Sequence, residues 1–268
     1  MRTGAGGAAT LHAMGAAPLY ASGAGALKLA VGGGGLPEVE MAVDRYRLLP
    51  GGLTAQSRIK ARTGFGPVRD GDIAVDGELR FADGALAFAA DGCASVGGRL
   101  ELGANAVEAI DGQLCPTSAP LLTLAKGDWR IRAAAKGVSA KVPFLQAALS
   151  QGTGGLDFGA VDGRLGGTLA LTSGQVADTT PDVRFNPVRA IAQAQVAGNV
   201  WKAEIGVADL AGRRLGQGVL THDGASGGGG LTFDTGLLAF AEEGLQPADL
   251  SPRAALVGSP AKGQARFH

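Results

Sequence analysis

Gly77-Glu-Leu79-Arg-Phe81-Ala-Asp-Gly84-Ala-Leu86-Ala-Phe88 decides the fold: a large apolar residue stands at every second position on either side of a glycine turn. The pattern returns at Gly229-Gly-Leu231-Thr-Phe233-Asp-Thr-Gly236-Leu-Leu238-Ala-Phe240. Period-two alternation puts the large side chains on one face of a sheet and the small or polar ones on the other. Both stretches therefore read as β-hairpins with one apolar face. Working outward, Asp-Gly pairs at 70, 76, 83, 91, 111 and 162 punctuate further short alternating runs. Asp-Gly between such runs is a hairpin signal, because both residues tolerate positive φ. The chain reads as a long, twisted antiparallel meander. It is all-β and curled into an open apolar groove.

Composition supports a thin layer. Glycine makes up 46 of 268 residues, aromatics are 5%, and much of the 46% apolar content is alanine. Glycine in strands costs entropy and offers nothing to pack, so a thick core is hard to build. Twenty-four basic residues balance 24 acidic ones, which argues against a nucleic-acid partner. No apolar run reaches the ~18 residues a membrane helix needs. The first residues lack the apolar core of a secretion signal. Both ends read as cuts through a longer chain.

Residues 1–35 form a Gly/Ala-rich segment, partly strand-like around Leu27 to Val31. Residues 36–268 read as a continuous β-groove, interrupted near 141–153. There Val142-Pro143-Phe144-Leu145 to Ser150 predicts a short helix over 142–150, with Pro143 at its first turn and Gly152 as a stop. Residues 178–186 read as a loop, 64–72 as another, and 224–230 as a flexible link. Val188 to Ala197 and Val200 to Ala208 read as a hairpin turning at Gly198-Asn199.

Candidate chemistry is sparse. Histidine occurs only at 12, 222 and 268, and His222-Asp223 reads as a solvated turn. Nothing assembles a nucleophile with a base and an orienting group, so no catalytic residue is expected. No zinc spacing and no phosphate-binding Gly-Lys-Ser/Thr loop occurs, so neither a metal site nor a cofactor is expected. Cys93 and Cys115, 22 residues apart, lie near breaks between strands. They read as a disulfide joining neighbouring strands in an oxidising compartment, worth roughly 3 kcal/mol by loop closure. The alternative is two unrelated buried thiols. The remaining feature is the apolar stripe: Leu79, Phe81, Leu86, Phe88, Leu100, Leu102, Leu231, Phe233, Leu238 and Phe240. It either lines an acyl-chain groove or fills a β-sandwich core.

Four stretches resemble a known family: Asp91-Gly-Cys93-Ala-Ser-Val, Asp111-Gly-Gln-Leu-Cys115-Pro116, Pro120-Leu-Leu and Gly127-Asp-Trp129-Arg. Together with Leu231 through Pro252 they are similar to the YdbH family of proteobacterial envelope proteins, within the wider AsmA-like group that includes TamB. The resemblance covers about residues 70–268. It implies a taco-like β-groove spanning the periplasm, anchored in the inner membrane by a segment outside this chain. It further implies phospholipid acyl chains as cargo moved between inner and outer membrane, and a small outer-membrane lipoprotein as partner. The competing expectation is a structural or adhesive surface protein, built as a β-solenoid or β-sandwich.

Overall fold

The computed structural model describes residues 6–14, 24–34, 36–65, 68–102, 105–226, 228–235 and 261–267. Nearly all of them lie in strands of one large, curved antiparallel sheet. The first strands are Ala8–Met14 (β1), Ala24–Gly32 (β2), Glu38–Leu49 (β3), Gly52–Phe65 (β4) and Val68–Ala82 (β5). Four short strands follow: Ala85–Ala90 (β6), Ala94–Leu102 (β7), Asn105–Cys115 (β8) and Leu122–Ala125 (β9). Long hairpins resume with Asp128–Val142 (β10), Ala147–Val161 (β11), Arg164–Asp178 (β12), Val188–Ala197 (β13) and Val200–Ala208 (β14). Arg214–Asp223 (β15), Gly229–Thr235 (β16) and Ala261–Phe267 (β17) complete the sheet.

Pairing follows chain order except in the centre. There β5 pairs with β6 along one half of its length and with β7 along the other. In turn β6 pairs with β9, β7 with β8, and both β8 and β9 with β10. Two long strand positions are thus each filled by two shorter strands laid end to end. The breaks fall at 91–93 and 116–121.

The sheet begins earlier than composition suggests. Gly/Ala-rich β1 and β2 pair with one another over Ala8↔Gly32 to Met14↔Ala26, and β2 pairs with β3. The predicted helix over 142–150 shrinks to a single 3-10 turn, Pro143–Leu145. Pro143 does start it, but Ala147 already pairs with Val142, and Gln146 takes a left-handed φ of 50° to close the hairpin. Ladder bonds to two neighbouring strands outweigh a two-turn helix with no partner of its own.

The Asp-Gly pairs divide by context. Asp83-Gly84 (φ 51° and 75°) and Asp162-Gly163 (φ 50° and 73°) form two-residue hairpin turns as expected. Asp76-Gly77 and Asp111-Gly112, read as turns from sequence, lie inside β5 and β8 instead. Gly77 serves close approach: a Cβ there would sit 2.8 Å from Cζ of Phe88 and 2.2 Å from the Ala89 carbonyl oxygen. Asp70-Gly71 is also in β5, where positive φ at Asp70 coincides with a register shift, so the expected 64–72 loop narrows to the join between Phe65 and Val68. The 188–197/200–208 hairpin and the loop before it match expectation.

Candidate functional site: the apolar face

Register converts separate hairpins into continuous rows, because residues paired across antiparallel strands share a face. One row runs Tyr46, Ala55, Leu79, Phe88, Leu122 and Ile131 across β3 to β10. It continues through Phe158, Gly167, Val196, Trp201 and His222 across β11 to β15. The neighbouring row is Leu48, Leu53, Phe81, Leu86, Leu124, Trp129, Ala160 and Leu165. Leu169, Ala194, Ala203 and Leu220 form a further row on the C-terminal strands.

The other face is polar. Asp157 accepts hydrogen bonds from Arg130 (Nη2 to Oδ2, 2.7 Å) and from Nε of Arg132 (3.3 Å). The two guanidiniums, Arg130 first, hold the Asp157 carboxyl below the usual carboxylate range. Arg58 and Asp44 pair at 2.7 Å on the N-terminal strands.

The apolar face is packed unevenly. Few large side chains are buried: Val43, Tyr46, Val75, Phe88, Leu121, Val196 and Leu215. Most others on the face, including Leu79, Leu86, Leu122, Ile131, Leu156, Leu169, Leu171, Ile205 and Leu220, are half-buried. Phe81 and Leu124 remain 42% and 40% exposed. Packing is densest at the centre, where Val75, Phe88, Ala94, Leu121 and Ala133 form one cluster. Further along, the ring of Phe158 meets Trp129 edge-on at 5.8 Å and Trp201 at 6.3 Å. Phe158 and Trp201 stand three strands apart, about 14 Å on a flat sheet. Their rings lean toward one another across Gly167.

Of the expected groove residues, the structure unites Leu79, Phe81, Leu86 and Phe88, as partners Leu79↔Phe88 and Phe81↔Leu86. Leu100 pairs with Val107 beyond a register shift in β7, and Leu102 pairs with Asn105 at that strand's end. Leu231 and Phe233 take register positions opposite Leu220 and Gly218 in β16. Leu238 and Phe240 lie outside the described residues. Sequence reasoning missed Leu122, Ile131, Leu156, Phe158, Leu169 and Trp201. The alternation of Leu156 with Phe158 carries the signal, but only register shows that it continues the stripe.

Cys93 and Cys115 form a disulfide. It ties the break between β6 and β7 to the end of β8, one step beyond the Ala94↔Leu114 pair. His222, expected in a solvated turn, sits in β15 beside Trp201 with 7% of its surface exposed. Strand β15 runs to Asp223, so the turn begins one residue later.

One rim of the sheet is fastened by charge. Asp178, whose side chain is fully buried, pairs with Arg184 at 2.8 Å and accepts the Thr180 hydroxyl at 2.8 Å. Arg184 also donates to the carbonyls of Leu145 (2.9 Å) and Gln146 (3.1 Å). The 179–187 loop is thereby pinned to the β10–β11 turn. Chiefly through the Arg184 hydrogen bonds, the Asp178 carboxyl is held far below the usual carboxylate range.

Among the described residues no three His, Cys, Asp or Glu side chains gather as a metal site, and no helix is long and apolar enough to cross a membrane. No family model, curated protein or solved structure matches the chain.

Proposed function

We propose that this chain is a lipid-conducting segment of a protein bridging the inner and outer membranes of a proteobacterial envelope, with phospholipid acyl chains moving along its apolar face. The supporting observation is one curved sheet whose register aligns a mostly apolar row across eleven strand positions, from Tyr46 to His222. Each buried methylene is worth about 0.8 kcal/mol, so an acyl chain crossing water meets a prohibitive barrier. A continuous apolar track removes that barrier without catalysis or a cofactor. The polar opposite face faces water, and the disulfide suits the periplasm.

In this reading the inner-membrane anchor and the outer-membrane lipoprotein contact belong to the full-length protein. The surface-adhesin alternative draws little from the architecture. Neighbouring strands are antiparallel rather than stacked as in a parallel β-helix.

Photo-crosslinking residues placed at Leu171 and Leu220 in cells test the proposal. Lipid adducts are expected there and absent from Lys60 and Glu78, exposed on the polar face of β4 and β5. Equal labelling of the two faces, or none on the apolar one, would overturn it.

A further inference from the structure

An open depression of about 1280 Å³ spans β12 to β16, and its lining includes the row Leu171, Ala192, Ile205 and Gly218 as well as residues of the opposite face. Its outermost rows belong to the opposite, polar face. One is Gln193, Glu204, Val219 and Thr232, mutual register partners. The other is Arg189 and Ala208, with Arg214 opposite Ala208 beyond a register shift in β15 and also lining the depression. Between them Ile191, 55% exposed, lies over Gly206: a Cβ at Gly206 would meet Cγ1 of Ile191 at 2.9 Å.

Charge is uneven along this depression. Arg189 and Arg214 flank Ala208 from the two adjacent strands, about 10 Å apart at the backbone. The nearby ion pairs are Asp178 with Arg184, Lys202 with Glu204 and Asp209 with Arg213. Neither Arg189 nor Arg214 enters an ion pair among the described residues, and Arg214 donates only to the neutral side chain of Gln217. Glu204 lies four residues from Ala208, about 13 Å along β14. It is already matched by Lys202 at 3.7 Å. One end of the depression thus carries two guanidiniums with no ion-pair partner among the described residues, over a small-residue floor, and its middle offers exposed Ile191 and half-buried Val219.

We infer that this depression binds an anionic amphiphile: a phosphate or carboxylate head held between Arg189 and Arg214, with its hydrocarbon tail against Ile191 and Val219. Guanidinium suits these heads because its planar fork donates two parallel hydrogen bonds to paired oxygens. The inference stands apart from the lipid track, since it concerns the other face and a headgroup rather than a chain.

Calorimetric titration of the full chain with dodecyl phosphate, inorganic phosphate and dodecyl maltoside, each as monomer, tests it. Dodecyl phosphate should bind most tightly, and Arg189→Gln/Arg214→Gln should weaken it about tenfold or more. Ile191→Ser should weaken dodecyl phosphate but leave inorganic phosphate unchanged. Raising salt toward about 1 M, where screening acts within about 3 Å, should weaken dodecyl phosphate binding to the unaltered protein. The salt titration decides the matter even should the double variant misfold. The inference falls if dodecyl phosphate fails to bind, if dodecyl maltoside binds equally well, if a folded double variant retains full affinity, or if high salt strengthens binding. Equal affinity for inorganic phosphate would reduce the site to a plain anion site and remove the tail.

Discussion

The centre of the sheet, β5 to β10, and its C-terminal hairpins, β11 to β15, solve the same problem differently. In the centre two strand positions are broken into pairs, and the breaks admit a disulfide and the loop residue Leu121, 4% exposed. Around them Val75, Phe88, Ala94 and Ala133 close a small core. The C-terminal hairpins are unbroken and have no comparable cluster. Their apolar face alternates Leu or Ile with Ala and Gly, as in Leu171, Ala192, Ile205 and Gly218 across four strands. The contrast teaches that a single-layer sheet gains a core where its strands are interrupted and cross-linked, and keeps an open face where they are regular. Core packing is concentrated in the first region, although Phe81 and Leu124 of the apolar face, 42% and 40% exposed, stand there too.

The sharpest way to break this contrast is to delete matched rings. Phe88→Ala should cost about 3–5 kcal/mol in denaturant unfolding, because its ring is enclosed. Phe158→Ala, in the same row but half-buried, should cost clearly less. Equal losses would dissolve the distinction.

Next in size is the staple. Reduction of Cys93–Cys115 should remove about 3 kcal/mol, lowering Tm by roughly 6–12 °C for a chain of this size. An unchanged melting curve would show that the centre does not depend on it.

Gly154→Ala should cost about 1–3 kcal/mol by overpacking, since its Cβ would lie 1.8 Å from the Ala170 carbonyl oxygen. Gly155→Ala, where the nearest atom would be 3.4 Å away, should be near neutral. Similar losses at both would mean that strand spacing in the C-terminal half is looser than described.

The smallest effect concerns the rim. Asp178 titrates lower in the folded protein than in the unfolded chain, so its contribution is complete above the unfolded value of about 3.9 and is lost as pH falls toward the folded one. Asp178→Asn should therefore be less stable than the parent at pH 7, by about 1 kcal/mol because Arg184 remains partly hydrated. That gap should narrow below about pH 4. A gap independent of pH would assign the effect to packing.

Much of the fold was legible because period two is a local property. Val188 to Ala208 reads as a hairpin from its own residues, and Leu79, Phe81, Leu86 and Phe88 read as one face for the same reason. What was not legible depends on partners distant in sequence. Gly77 and Gly112 look like turn glycines but lie inside strands: a Cβ at Gly77 would strike the neighbouring backbone at 2.2 Å, and one at Gly112 would press on Val138 at 3.1 Å. His222 looks solvated until Trp201 is paired beside it. The helix predicted at 142–150 failed because Ala147 finds a ladder partner in Val142. Trp129, Phe158 and Trp201 lie on three separate strands, and only register and curvature bring them together.

The account turns on whether the apolar face holds lipid. Native mass spectrometry with lipid extraction, on the chain purified from a bacterial periplasm, addresses this directly. The account predicts co-purified phospholipid that is lost or strongly reduced in Phe81→Asp while the variant stays folded. A lipid-free, monodisperse protein, or lipid retained unchanged by Phe81→Asp, would contradict it.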